Sequence, residues 1–133
     1  MPDPRPPLPA KQTLLLIVVP MLATVISLRL YLHLVHVRHI YPGGYLVHHL
    51  FVGLLILIPA AFLLAFGTRR RVLARVGLGV GTGLILDEFV YLVATKASDA
   101  DYVSRLSLVG ATILISLAVI LLLVLYALHR DEA

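Results

Sequence analysis

The sequence predicts an all-α integral membrane protein folded as a four-helix up-down-up-down bundle, and three observations indicate this. Apolar residues make up 60 % of the 133 residues, whereas soluble domains contain about 45–50 %. Charged residues make up only 14 %, and the mean hydropathy is +0.99. Four separate apolar runs are each long enough to cross about 30 Å of hydrocarbon as a helix.

The four apolar runs define one transmembrane domain over residues 13–129. We place its helices at about residues 13–36, 45–66, 72–95 and 103–128. Because a backbone in lipid must pair its own polar groups, each run should be helical, and the short connections favour antiparallel neighbours. Residues 1–12 are rich in proline and are expected to form a disordered cytoplasmic arm. The first run is expected to be a retained helix and not a signal peptide.

The distribution of basic residues predicts the orientation of the bundle. The predicted cytoplasmic side carries Arg5, Lys11, Arg69, Arg70, Arg71, Arg75 and Arg130, and the outer side carries Arg38, Lys96 and Arg105. The positive-inside rule therefore places both termini in the cytoplasm and the protein in the cell (inner) membrane. Topology and lipid headgroups account for the net charge of +4, so no nucleic acid partner is expected. The chain has no cysteine, which excludes disulfides and thiolate metal ligands.

Small residues at helical spacing predict close packing of the third helix. Gly77, Gly79, Gly81 and Gly83 follow one another at alternate positions, and small residues four apart let helices approach closely in lipid. The same surface would serve a second copy of the chain or another membrane protein as well as it serves the chain itself. The expected partners are therefore membrane lipids and either of these proteins.

Polar residues also mark the predicted outer end of the bundle. Ser98, Asp99 and Asp101 are N-cap candidates for the fourth helix. Tyrosines concentrate in the same half, which is typical of an interfacial aromatic belt; they are Tyr31, Tyr41, Tyr45, Tyr91 and Tyr102.

Two adjacent carboxylates, Asp87 and Glu88, lie inside the third apolar run. A charge at such depth costs about 2.5–3.5 kcal/mol on insertion scales, so these residues need partners. At about 1.5 Å of rise per residue, they lie roughly 10–12 Å below the outer end of their helix, and Arg29 lies at a comparable depth in the first helix. Further polar residues reach the same outer half from three helices; they are His33, His36, His48, His49 and Tyr91.

The first interpretation of this cluster is structural. Intramembrane charges usually face the bundle interior and pair with one another, and Arg29 matches the depth of Asp87 and Glu88. In this interpretation the protein is a non-enzymatic structural or accessory subunit, and the network fixes helix packing or binds a partner. An Arg29 pair with one carboxylate would leave the other carboxylate and the histidines to be explained.

The second interpretation is a metal site that faces outward. Imidazole and carboxylate are the usual ligands of zinc, iron and manganese, and helix bundles build such sites from inward-facing side chains. The candidate ligands are His33, His48, His49, Asp87 and Glu88, and Arg29, His36 and Tyr91 would support them. Since neighbouring side chains on a helix diverge by about 100°, only one member of each adjacent pair can point fully at a common centre. Which member does so is left open.

A metal site would also allow catalysis. The sequence leaves open whether the protein is an enzyme; if it is, we expect a lipid-like, membrane-embedded substrate, with Glu88 and Asp87 as the catalytic candidates. Haem ligated by two histidines, such as His33 or His36 with His48 or His49, is a less favoured alternative. The carboxylates at this depth would crowd a porphyrin between the helices.

Several motifs stand in order along the chain: His48-His49-x-x-x-Gly53, the glycine-rich run 77–83, and Leu86-Asp87-Glu88-Phe89. Together with the acidic and aromatic turn at 99–102, they resemble uncharacterised small four-helix integral membrane proteins of bacteria. The resemblance covers about residues 31–105. It implies the four-helix fold and singles out both histidines and both carboxylates, but it implies no activity. The turn lacks the tryptophan expected beside its tyrosine.

Overall fold

The computed structural model describes residues 8–35, 47–66, 70–96 and 98–130. Within these ranges the protein is all-helical and contains no strand. The helices are α1 (Ala10–Leu34), α2 (His49–Ala65), α3 (Arg71–Ala94), α4 (Asp99–Tyr102) and α5 (Arg105–Arg130). The four predicted runs correspond to α1, α2, α3 and α5, whereas α4 is a single turn that we did not predict as a separate helix.

Three of the helices, α1, α3 and α5, are long and apolar enough to cross a membrane. The fourth long helix, α2, is apolar but has only 17 residues. The helix α3 lies at the centre, because it packs against α1, α2 and α5, whereas the backbone of α2 lies close to that of α3 alone among the described helices. The polar residues of α3 are therefore placed between all the other long helices.

Two sets of glycines let α3 pack closely on two opposite sides. Gly77 and Gly81 face α2, where a Cβ on Gly81 would lie 2.8 Å from the carbonyl oxygen of Gly53. Gly79 and Gly83 face α1, where a Cβ on Gly83 would lie 2.7 Å from a backbone oxygen of that helix. Positions two residues apart on a helix are separated by about 200°. The alternate glycines thus form two small-residue faces, one for each neighbour.

The distribution of polarity is the reverse of that in a soluble protein. The buried polar residues in the described ranges are Asp87, Glu88 and Ser107, while large apolar side chains such as Leu34 and Leu55 are 69 % and 75 % exposed. Soluble proteins instead bury apolar residues and rarely bury charged ones fully. The apolar surface and the polar centre are what a membrane protein requires.

Candidate functional site

The carboxylate of Asp87 is the centre of a buried polar cluster. Its side chain is fully buried, and Arg29 of α1 donates from Nε to Oδ1 at 2.5 Å. The hydroxyl of Tyr102 donates to Oδ2, and His49 Nε2 lies 3.3 Å from the same oxygen. Through its side-chain oxygens, Asp87 therefore connects its own helix, α3, to α1, α2 and α4.

Arg29 extends this cluster to α5. Its Nη2 group donates to the backbone carbonyl of Asp87 at 2.9 Å and lies 3.2 Å from the hydroxyl of Ser107. Its Nη1 group donates to the carbonyl of Tyr102 at 3.0 Å, and the guanidinium carbon lies 4.4 Å from the centre of the Tyr102 ring. The planar guanidinium has five N–H donors in a fixed arrangement, and here they reach three different helices. One side chain thus holds α3, α4 and α5 against α1.

Glu88 has a different set of partners, all at the start of α2. Its Oε2 atom accepts a hydrogen bond from the backbone N–H of Leu50 at 2.7 Å, and its Oε1 atom lies 2.7 Å from His48 Nδ1. The first amides of a helix have no partner within the helix, and α2 has no acidic residue in its first turn and no side-chain cap. Glu88 supplies the missing acceptor from α3, at the end of the helix dipole that favours a negative charge.

His49 connects the two carboxylates. Its Nε2 atom lies 3.3 Å from Asp87 Oδ2, and its Nδ1 atom lies 3.3 Å from Glu88 Oε2. An ionised carboxylate only accepts hydrogen bonds, and a neutral imidazole can donate from only one nitrogen. His49 thus lies between the two carboxylates, within 3.3 Å of an oxygen of each.

Aromatic rings close the cluster on one side. The rings of Tyr91 and Tyr102 meet edge-to-face at 5.3 Å, and His49 meets Tyr102 in the same way at 5.7 Å. Both tyrosines are buried, at 4 % and 8 % exposure. Burial, and then the negative charge of Asp87, raises the pKa of the Tyr102 phenol well above its usual value. Tyr102 therefore keeps its proton and remains a hydrogen-bond donor to Asp87.

The turn α4 brings Tyr102 into place through a capping box. Ser98 is its N-cap: the hydroxyl accepts from the backbone N–H of Asp101, and the Asp101 carboxylate accepts from the backbone N–H of Ser98. The hydroxyl of Ser98 also lies 2.7 Å from the Asp101 carboxylate. These hydrogen bonds lower the pKa of Asp101. Ser98 and Asp101, two of the N-cap candidates predicted for the fourth helix, thus serve α4 instead, and α5 begins afterwards at Arg105.

The structure brings most of the predicted site residues together. Arg29, His48, His49, Asp87, Glu88 and Tyr91 all lie in or against the cluster. The side chain of His33 is exposed on α1, and no contact of it with the cluster is seen in the described part of the chain. His36 lies outside the described residues.

Three contributors were missed from the sequence. Tyr102 was predicted to belong to an interfacial belt, but it is buried against Asp87. Ser107 is fully buried beside Arg29, and its position in the apolar fourth run gave no sign of that role. The backbone N–H of Leu50 could not be identified as a partner from the sequence, because every residue except proline has a backbone N–H.

The cluster satisfies its own polar atoms. Every buried side-chain nitrogen or oxygen in the described ranges has a hydrogen-bond partner. Among those residues, no three His, Asp or Glu side chains are arranged so that they could hold a metal ion together. Glu88, His48 and His49 have the chemistry that a transition metal requires, but they would have to exchange their present partners for it. The metal site thus stays a prediction.

No protein-family model, curated protein or solved structure matches this sequence. The resemblance to small bacterial membrane proteins therefore stays a prediction from the motifs. The functional conclusions below depend on the geometry of the cluster alone.

Proposed function

We propose that this protein is an integral membrane protein of four antiparallel spanning helices, with both termini in the cytoplasm. The order of the contacts supports this topology. Along α1 and α3, residue numbers rise together from the Thr13–Arg75 contact to the Arg29–Asp87 contact. Along α2 they run the other way, from His48 beside Glu88 to Ala60 beside Gly77.

The helix α5 also runs against α1. Arg29 contacts Ser107, whereas Met21, two turns earlier, packs with Ile115, two turns later. The short length of α2 fits the same arrangement: 17 residues span roughly 25 Å, a little less than the hydrocarbon thickness. Its first amides would then lie inside the membrane, where water does not satisfy them. Glu88 provides the acceptor that this position demands.

We further propose that the protein is a non-enzymatic structural or accessory membrane subunit, in which the cluster fixes the packing of the helices. The observation that carries this proposal is the set of four hydrogen bonds from Arg29 to acceptors on α3, α4 and α5. Such a polar network contributes less to stability than to the choice of one arrangement, because desolvation offsets most of the attraction between the charges. It forbids sliding of the helices, since any shift would leave a charge unpaired in lipid.

The test compares Arg29→Leu with the double variant Arg29→Leu/Asp87→Leu. Arg29→Leu leaves Asp87 buried without its cation and should lower the free energy of unfolding by about 3–5 kcal/mol. The double variant removes both charges and should recover most of that loss. Unfolding is followed by circular dichroism in detergent micelles titrated with a denaturing detergent. Lys96→Leu, which removes an exposed cation outside the cluster, is the matched control. An Arg29→Leu variant as stable as this control would overturn the proposal.

A transition metal at Glu88 is the second candidate function, and one observation favours it. Each oxygen of Glu88 faces an imidazole nitrogen, of His48 on one side and of His49 on the other, and these histidine side chains keep 18 % and 19 % exposure. Zinc, iron and manganese all accept this set of ligands. If the protein is an enzyme, Glu88 is its better catalytic candidate, because Arg29 engages Asp87.

Elemental analysis separates the two candidates. Purified protein is compared with His49→Ala and Glu88→Ala after equal exposure to zinc, iron and manganese. A metal site predicts a stoichiometric metal content that both variants lose. Equal metal content in all three proteins would rule out a metal site at Glu88. The structural role would then remain the proposed function.

A further inference from the structure

The helix α3 is the least suited of the three candidate spanning helices to enter a membrane by itself. Among α1, α3 and α5, it has the lowest mean hydropathy and α5 has the highest. Its C-terminal half carries Asp87 and Glu88, and a charge within a spanning segment opposes insertion unless it finds a partner. Groups outside the sequence of α3 are therefore needed to offset these charges.

The partners of Asp87 come from other helices, and they become available at different times during synthesis. Arg29 of α1 and His49 of α2 precede α3 in the chain, whereas Tyr102 follows it. Because a chain is synthesised from its N-terminus, α1 is already present when α3 emerges. Arginine also stays charged at any pH that a protein meets. Arg29 is therefore a cation that can meet Asp87 during insertion, before Tyr102 has been made.

The geometry of α1 and α3 brings these two charges to the same depth. The helices run parallel, and Gly79 and Gly83 let their backbones approach closely. Arg29 lies in the last two turns of α1, where a long basic side chain can extend towards the headgroups until its partner arrives. In the finished bundle, Arg29 Nε lies 2.5 Å from Asp87 Oδ1. The helix α1 can therefore enter first and present its cation to α3.

We infer that Arg29 is an insertion partner for α3: it pairs with Asp87 while α3 enters the membrane, and without it α3 stays on the cytoplasmic side. This inference rests on the proposed membrane topology and extends the role of the cluster from the finished bundle to its assembly. If α3 stays outside, the more apolar α5 must enter from the cytoplasmic side and cross in the opposite direction. The end of α5 would then reach the outer surface, and the end of α3 would not.

Cysteine labelling measures the orientation of both helices in bacterial spheroplasts. The native chain has no cysteine, so Lys96→Cys reports only the segment after α3, and Leu128→Cys reports only the last part of α5. Both positions are exposed. A membrane-impermeant maleimide is added from outside, and labelled chain is compared with unlabelled full-length chain in the membrane, so that degradation does not enter the ratio.

The single-cysteine chains should give opposite results, with labelling at Lys96→Cys and none at Leu128→Cys. Adding Arg29→Leu should lower the ratio of labelled to unlabelled chain at Lys96→Cys by roughly tenfold or more, and it should expose Leu128→Cys to the label. Adding Asp87→Leu as well should restore the native pattern, because it removes the charge that needs a partner. Unchanged labelling in Arg29→Leu would overturn the inference, and so would a failure of Asp87→Leu to restore it.

Two further variants show whether the charge of Arg29 is what matters. Arg29→Lys keeps the charge and should retain most of the labelling at Lys96→Cys. The matched control is Ser27→Leu, which also replaces a polar residue of α1 by leucine and should label like the native chain. An Arg29→Lys variant that behaves like Arg29→Leu, or an equal loss in Ser27→Leu, would contradict the inference. The positive-inside rule does not predict the loss, since Arg29 lies towards the outer side, where removing a cation favours the native orientation.

The same measurements separate this inference from the proposed topology. If Lys96→Cys is not labelled in the otherwise native chain, or if Leu128→Cys is, the topology is wrong and the inference is wrong with it. If both label as proposed and Arg29→Leu changes neither, the topology stands and the role of Arg29 in insertion alone is disproved.

Discussion

Asp87 and Glu88 are neighbours in the sequence, and both are buried, but their surroundings differ. Asp87 is bound by Arg29 and Tyr102, which reach it from α1 and α4. Glu88 is bound by the first residues of α2, through one backbone amide and two histidines. The divergence of about 100° between adjacent side chains on a helix directs them to different neighbours. Two consecutive residues therefore organise two different interfaces of the bundle.

The difference in partners has chemical consequences. Arginine stays charged at any pH that a protein meets, so the Asp87 side of the cluster is a permanent ion pair. The Glu88 side is held instead by one backbone amide and two imidazoles. Glu88 is bound by the start of α2, so a change at Glu88 affects the interface between α2 and α3 first. A change at Asp87 affects Arg29 and Tyr102, and through them α1, α4 and α5 together.

Asp87→Asn should have the largest effect. The amide keeps the shape of the side chain but removes the charge that balances Arg29, which is only 16 % exposed. An unpaired buried charge costs about 3–5 kcal/mol. The free energy of unfolding should fall by this amount, and tryptic cleavage in the native state should increase in α1 as well as α3. Unchanged cleavage after Arg29 in α1 would contradict the assignment of Asp87 to the α1 side.

Tyr102→Phe should have the next largest effect, because it removes one hydrogen bond to a charged group, worth about 1.5–3 kcal/mol. It also tests the raised pKa of Tyr102. Because the folded-state pKa exceeds the unfolded value of about 10, the contribution of this phenol to stability is complete below pH 10 or so. That contribution is lost as the pH rises through the higher folded-state pKa.

The measurement for Tyr102 is a phenolate titration by ultraviolet absorbance in detergent. The native chain should show a tyrosine that ionises only at a pH well above the usual value, and Tyr102→Phe should have one late-ionising tyrosine fewer. Tyr126→Phe, which removes a tyrosine from the far part of α5, is the matched control. An unchanged number of late-ionising tyrosines in Tyr102→Phe would contradict the raised pKa of Tyr102.

Glu88→Gln should cost less, about 1–1.5 kcal/mol. The amide oxygen can still accept from the N–H of Leu50, and His48 can change its tautomer to accept from the amide nitrogen. Hydrogen exchange should therefore accelerate in the first turn of α2 and stay unchanged in α1. Equal acceleration in α1 and α2 would show that the two sides of the cluster act as one unit.

The contrast between the two sides was partly predictable from sequence. Depth matching brought Arg29 to the level of the two carboxylates and placed His48 and His49 in the same outer half of the bundle, because the rise of a helix is fixed and the connections are short. It did not predict which carboxylate each partner binds. That depends on how α1 and α2 are placed around α3, which the two glycine faces determine in three dimensions.

Helical spacing alone also does not tell which side chains are buried. His33 follows Arg29 by four residues, a spacing that places both on one helix face, but it lies in the last turn of α1 and is exposed. Periodicity tells which direction a side chain takes, and it does not tell whether another helix extends that far. Tyr102 illustrates the opposite case, since a turn in a connection carries it inward.

Ser98→Ala should have the smallest effect, and it tests how α4 supports the Asp87 side. The variant removes the hydroxyl that binds Asp101, so the pKa of Asp101 should rise towards its usual value of about 3.9. A carboxyl whose folded-state pKa is lowered stabilises the fold above its unfolded pKa, and this contribution is lost as the pH falls through the folded-state value. NMR titration of the Asp101 carboxyl in the native chain and in Ser98→Ala measures the change, with Ser116→Ala in α5 as the control. An unchanged pKa of Asp101 in Ser98→Ala would show that the capping box does not hold α4, and that Arg29 and Asp87 alone keep Tyr102 in the cluster.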